Sequence, residues 1–348
     1  MTAGMTAGTT AATAAGSAPA RELAALPKAH LHVHLEGAMR PATLTDLARA
    51  AGRPAPPVGN SCSFPEFLRL YDAATALIRT PDDLRRLVRE VVEDAAADGA
   101  VWVEPHVYPT RYASALVPSL DTEEAVLELV IDEASRTAER LGIGAGILVS
   151  ALRHADPAEA VRLAELAARY AGSGVVAFGL AADESLFPPE PFAAAFALAR
   201  DAGLISAPHA GELAGPASVY GALDALGAHR LCHGVRAVED PALVERLARD
   251  EIVLDVCPTS NLLLEVVPSL DEHPLARLLD AGVRCTLNGD DPLLFGPGLL
   301  SEFELARRTL GLSDGQLAAM ARTSIEASGA PPALVASGVA GVDTWLAS

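Results

Sequence analysis

The run His30-Leu31-His32-Val33-His34-Leu35-Glu36-Gly37 alternates imidazoles with apolar side chains. In an extended strand, residues two apart share a face, so His32 and His34 point the same way. Two same-facing neutral imidazoles make half of a metal site. Pro208-His209-Ala210-Gly211-Glu212 adds a histidine with a carboxylate three residues on, a ligand and a nearby proton carrier. Cys232-His233-Gly234 adds another histidine, and Asn288-Gly289-Asp290-Asp291-Pro292 adds two adjacent carboxylates. Each motif taken singly is an ordinary polar strand end or turn. Together, three histidines and one aspartate form a nitrogen/oxygen set that suits Zn²⁺, with water completing the coordination. Glu212, His233 and Asp291 remain as acid and base candidates around it.

These side chains need elements to bring them to one place. Strand-like apolar runs cover 30–34, 101–107, 142–150, 174–180, 204–209, 230–233, 252–257 and 283–287, separated by amphipathic helical stretches such as 121–141, 156–171, 190–202, 240–249 and 273–281. In DPAEAVRLAELAARYA, Asp156 can cap, Pro157 suits the first turn, and Val161, Leu163, Leu166 and Ala167 recur near the 3.6 period. Strands apolar on both faces and separated by helices imply a parallel sheet, and eight of them imply a closed (β/α)8 TIM barrel. The four motifs then fall at the C-terminal ends of strands one, five, six and eight, the face on which barrel enzymes build their sites. Residues 41–98 hold helices at 43–51, 65–79 and 82–97, an insertion after the first strand that either covers the barrel mouth as a lid or pads its side. Further helices at 299–310 and 313–327 close the chain.

The chain has 348 residues, half of them hydrophobic, which suffices for one barrel domain over 21–348. Acidic residues number 45 against 26 basic ones, for a net charge of −19, and neither nucleic acid nor an anionic membrane is drawn to such a field. No apolar run approaches the ~20 residues of a membrane span. Residues 1–20 lack a basic segment and an apolar core, so they read as a disordered tail rather than a secretory signal. Cys62, Cys232, Cys257 and Cys285 form no CxxC pair and read as free, mostly buried thiols, consistent with a cytoplasmic protein.

The segments PKAHLHVHLEGAMRP, HAGE, CHGV, CPTSN and NGDDP resemble, in order, the adenosine/adenine deaminase branch of the metal-dependent amidohydrolases, from about Pro27 to the end of the chain. The resemblance implies one zinc per chain held by His32, His34, His209 and Asp290. It implies that Glu212 protonates the purine ring, His233 handles the attacking water and Asp291 orients it, with CPTSN (257–261) as a structural support. A zinc ion lowers the pKa of its water to about 7, and attack at an aromatic C6 needs an acid at N1. Either His233 or Asp291 can serve as the base. Many amidohydrolases bridge two metals with a carboxylated lysine; Lys28 is the only lysine and precedes the histidines, which excludes that arrangement.

The implied activity is release of ammonia from a small-molecule 6-aminopurine nucleoside, either adenosine or a derivative such as aminodeoxyfutalosine, a menaquinone precursor; the alternative is adenine. Glu36 matches adenine deaminases where adenosine deaminases carry a sugar-contacting aspartate. Ala182 replaces a glycine whose N–H meets the purine. His106 and Arg111, in Glu104-Pro105-His106-Val107-Tyr108-Pro109-Thr110-Arg111, replace an arginine-bearing version of the second strand's end, and Arg111 can grip a carboxylate bidentately.

Overall fold

The computed structural model describes residues 21–59 and 63–348. The tail expected over 1–20 and the cysteine at position 62 lie outside the described residues. Among the described residues, ten strands run parallel: β1 (Lys28–His34), β2 (Ala100–Val107), β3 (Gly144–Ala145), β4 (Ile147–Leu152), β5 (Val175–Ala181), β6 (Ile205–Ser206), β7 (His209–Ala210), β8 (Arg230–His233), β9 (Val253–Val256) and β10 (Arg284–Leu287). They pair in the order β1-β2-β4-β5-β6, with β3 beside β2, and β7-β8-β9-β10. β3 and β4 are two pieces of one stave, and so are β6 and β7, so the ten segments make eight staves. The second break falls at Ala207 and Pro208, where proline has no N–H to give to the ladder.

Backbone hydrogen bonds carry the ring across both gaps between the two ladders. His229 N–H donates to Ser206 O at 2.9 Å and Cys232 N–H to Pro208 O at 3.0 Å. At the other seam, His34 N–H donates to Asp290 O at 3.0 Å and Asp290 N–H to His32 O at 3.1 Å. The result is the parallel barrel expected from the alternation of strands and helices.

The barrel interior is polar at one level. Arg230 Nη2 donates to Glu104 Oε2 at 2.6 Å, and its Nε lies 3.2 Å from Asp255 Oδ2, all three side chains being buried. Trp102 Nε1 donates to Glu104 Oε1 at 2.8 Å, and Thr286 Oγ1 to Asp255 Oδ1 at 2.8 Å. Buried charges of this kind persist only when paired with opposite charge.

The insertion holds α1 (Pro41–Ala50), α2 (Phe64–Thr75) and α3 (Pro81–Ala97). Both readings of it are realised. α3 starts from a capping box of Thr80 and Asp83 and packs on the barrel's side, whereas α2 places Phe64, Phe67, Leu68 and Tyr71 over the mouth. Helices Pro216–Leu226, Pro258–Leu263 and Pro332–Ala347 go beyond the sequence expectation. The last is PALVASGVAGVDTWLA, apolar on almost every side, so no 3.6-residue contrast marks it. It docks through Trp345, whose Nε1 donates to Glu22 O at 2.8 Å. Among the described residues, no helix is long and apolar enough to cross a membrane.

Candidate active site

β1 delivers His32 and His34, β7 delivers His209, and the turn after β10 delivers Asp290 to one point at the C-terminal mouth. His32 Nε2 lies 3.1 Å from His209 Nε2 and 3.2 Å from Asp290 Oδ1. His34 Nε2 lies 3.3 Å from each of the same two atoms. The tautomers follow from the far side of each ring. His32 Nδ1 faces the Asp255 carbonyl at 3.3 Å, and His209 Nδ1 faces the Leu180 carbonyl at 3.1 Å. A carbonyl only accepts, so the proton sits on Nδ1 in both rings and both Nε2 atoms present bare lone pairs. Two lone pairs 3.1 Å apart repel unless a cation lies between them. Ligands 2.0–2.1 Å from zinc in tetrahedral array stand roughly 3.3 Å apart, close to the spacing of His209 and Asp290 from each of His32 and His34. The donor set therefore fits a divalent metal of the zinc type.

Charge is arranged accordingly. Burial and the neighbouring imidazoles hold His209 well below the usual histidine range. Asp290 is held well below the usual carboxylate range despite its burial, so it faces the imidazoles as a carboxylate. Lys28 is turned away from the cluster, its Nζ donating to Leu23 O and Leu26 O at 3.0 and 2.9 Å.

The three acid and base candidates surround these ligands. Glu212 is buried, its pKa pushed well up by burial and then by Asp290 and Glu184. Its Oε1 is 3.3 Å from His233 Nε2. Asp291 is pushed up by burial and by Asp290, and its Oδ1 has no protein partner among the described residues. His233 stands with His32, His209 and Asp290 in one buried group whose donor atoms all lie within 4.8 Å of one another, its Nε2 3.8 Å from Asp290 Oδ2. Both His233 (φ 67°) and Asp290 (φ 56°) adopt left-handed backbone conformations, as does Ala182 (φ 79°). Side-chain-bearing residues are seldom held there, and such strain gathers at sites where the fold over-determines one geometry.

Glu184 escaped the sequence reading as a functional residue. Its carboxylate accepts from the backbone N–H groups of Gly211, of Glu212 at 2.9 Å and of Leu213 at 3.0 Å, so it sets the turn that aims Glu212. The available signal was its place just past β5, at the catalytic end of a stave. Asn288 has a structural role beyond its motif: its Oδ1 accepts from the N–H of Leu31 (2.8 Å) and His32 (3.0 Å), tying the ends of the first and last staves together.

A cavity of about 160 Å³ opens beside the cluster, lined among others by His34, Glu36, His106, Ala182, His209 and Asp291. Glu36, buried, accepts from Tyr71 Oη at 2.6 Å and from Tyr112 Oη at 2.5 Å. His106 donates through Nε2 to Leu31 O at 3.0 Å and stacks on His32, leaving Nδ1 buried and unpaired within the protein. Arg111 lines the cavity with its guanidinium over Tyr71, and its Nη1 donates to Asp72 Oδ1 at 2.6 Å. Among the described residues Cys232, Cys257 and Cys285 are free and buried, and burial raises their thiols out of the reactive range.

The adenosine deaminase family model matches residues 27–334. The chain is 46% identical over 341 residues to a putative adenosine/adenine deaminase of Streptomyces coelicolor, covering 94% of this chain and 98% of the relative. It is 39% identical over 310 residues to an adenine deaminase of Sinorhizobium medicae, covering 88% and 94%. The crystal structure of an adenine deaminase from Arthrobacter aurescens superposes with a TM-score of 0.85 at 31% identity, covering 92% of this chain and 99% of that one. With its barrel, its His/Asp cluster and this coverage, the chain belongs to the adenosine deaminase family, the metal-dependent hydrolytic deaminases of adenine- and adenosine-type purines within the amidohydrolase superfamily.

Proposed function

We propose that this chain deaminates the free base adenine, giving hypoxanthine and ammonia with one zinc ion per chain. The observation that carries this reading is the space next to the cluster: about 160 Å³ roofed by Phe64, Phe67 and Tyr71, small beside the ~300–1,000 Å³ of sites for larger ligands, with a further space of about 330 Å³ adjoining it at Asp72, Tyr108 and Arg111. Aromatic side chains above and imidazoles below suit a flat purine ring. Arg111 has Asp72 as its partner, which weakens the case for a carboxylated nucleoside. The same arginine, lying beside Tyr71 at the cavity wall, is what favours the second reading, a nucleoside derivative with an anionic end.

A bound zinc ion at His32, His34, His209 and Asp290 would supply a water ionised near neutral pH. Glu212, kept protonated by burial, donates its proton to N1 as the oxygen adds at C6. The charge of a bound metal would favour the ionised form of Asp291 against its burial, so Asp291 takes one proton from the water and passes it to the departing amino group, which leaves as ammonia. The remaining hydroxyl proton returns to Glu212, and the product keeps a proton on N1. α2 and the aromatic roof exclude bulk water from these transfers.

Ammonia release from adenine, adenosine, AMP and aminodeoxyfutalosine tests the reading. Adenine should show the highest kcat/KM. Faster turnover of aminodeoxyfutalosine, lost in Arg111→Met, would promote the second reading, and preference for adenosine would defeat the size argument.

A further inference from the structure

Asn261 and His273 stand behind the site and have no part in the chemistry above. Their hydrogen bonds nevertheless decide which nitrogen of His233 carries the proton. A backbone N–H can only donate, and one of them touches His273. Leu275 N–H donates to His273 Nδ1 at 3.2 Å. A ring nitrogen that accepts has no proton, so the neutral His273 ring is protonated on Nε2. That Nε2 lies 3.2 Å from a side-chain atom of Asn261, which must therefore be the accepting oxygen Oδ1. The amide nitrogen of Asn261 then faces His233 Nδ1, at 3.2 Å, and donates to it. His233 Nδ1 accepts, and its proton sits on Nε2, the atom 3.3 Å from Glu212 Oε1. All three side chains are buried. Burial also keeps the His273 ring neutral, bringing it down to about 4.

We infer that Asn261 and His273 are positioning residues that lock His233 as the Nε2–H tautomer, so that His233 donates a hydrogen bond to the attacking oxygen and leaves proton acceptance to Asp291. The inference rests on the deaminase reading. A protonated Nε2 offers no lone pair, so His233 would not serve as a ligand although it stands in the same group of donors as His32, His209 and Asp290. CPTSN, which supplies Asn261, is thus more than a support.

The test has a readout independent of turnover. In zinc-loaded protein labelled with ¹⁵N-histidine, two-bond ¹H–¹⁵N correlations distinguish the two tautomers, and His233→Gln identifies the His233 signals. Wild type should show the Nε2–H pattern. Asn261→Asp offers only acceptors, so His233 should switch to Nδ1–H and kcat should fall on the order of 10³- to 10⁴-fold, as for a catalytic histidine in the wrong tautomer, with KM little changed. His273→Gln keeps a donor toward Asn261 and should retain the wild-type tautomer and most activity. His273→Leu frees the Asn261 amide to turn and should lose both, and this pair carries the test if Asn261→Asp does not fold. An Nδ1–H signal in wild type, or Asn261→Asp and His273→Leu with unchanged spectra and kcat, would overturn the inference. Failure of adenine as substrate would leave the spectra unchanged and would mark only the substrate assignment as wrong.

Discussion

Gly37 is packed so closely on Asp291 that a methyl group at its Cα would overlap the Asp291 carboxylate. Its backbone does not use a positive φ, so the requirement is one of space. Gly37→Ala should displace Asp291 while leaving the barrel folded and the metal bound. The expected loss is roughly 10²–10⁴ in kcat, the range of general acid–base catalysis. Wild-type kcat in a variant of unchanged metal content would remove Asp291 from the proton transfers.

Glu184 offers a second route to the same chemistry without touching substrate. Glu184→Gln replaces one accepting oxygen with an NH₂ group, which cannot serve all three N–H donors of the turn at 211–213. Hydrogen bonds to a charged group are worth about 1.5–3 kcal/mol. The variant should lose about that much stability in urea unfolding, together with kcat as Glu212 loses its aim. Loss of stability with full kcat would show that Glu212 orients itself.

Glu302 gives a pH prediction. This buried carboxyl is pushed up to about 8, chiefly by burial, with the Thr259 hydroxyl and amide working the other way. In the unfolded chain it ionises near 4.5, so from about pH 4.5 to 8 the folded state holds a proton that the unfolded state has released. Its contribution therefore falls as pH rises through that window and is level above it. Unfolding free energies of Glu302→Gln minus wild type should grow between pH 5 and pH 8. A difference independent of pH would mean that Glu302 is ionised in the fold.

Metal removal should register in stability as well as activity. Removal of the ion would leave the donors of His32, His34, His209 and Asp290 without the cation that joins them, and a ligand at about 1,000 times its Kd adds about 4 kcal/mol to the folded state. Exhaustive chelation should lower the unfolding midpoint, and one equivalent of zinc should restore it. A requirement for two equivalents would contradict the single-ion arrangement.

The buried Arg230–Glu104–Asp255 group predicts an asymmetry. Glu104→Gln should destabilise the protein by about 3–5 kcal/mol, because it leaves the guanidinium short of a counter-charge in the barrel interior. A much smaller change in urea unfolding would mean that Asp255 alone suffices.

Much of this was legible in the sequence because barrel chemistry is written at strand ends. HLHVHLE has the two-residue period of a strand, and HAGE, CHG and NGDDP each follow an apolar run, so their convergence follows once the barrel is recognised. What was not legible depended on contacts between distant segments. No local signal links Asn261 to His273, Glu184 to the amides at 211–213, or Tyr71 and Tyr112 to Glu36. The helix Pro332–Ala347 was missed for a different reason: with almost no polar face it shows no periodicity. Arg111 was correctly placed near the mouth, but its partner Asp72 sits on α2, whose position over the mouth the sequence left open.

The seam where β1 meets the turn after β10 has a consequence for synthesis. His32 and Asn288, whose hydrogen bond helps close the ring, are 256 positions apart. At about 5–20 residues per second, translation separates them by roughly 13–50 s. Throughout that interval the nascent chain displays the histidines of its first stave without the aspartate that completes their cluster. On the proposed reading, metal capture with the full ligand set is deferred until the last stave has left the ribosome, and a prematurely terminated chain lacks both the closing stave and Asp290.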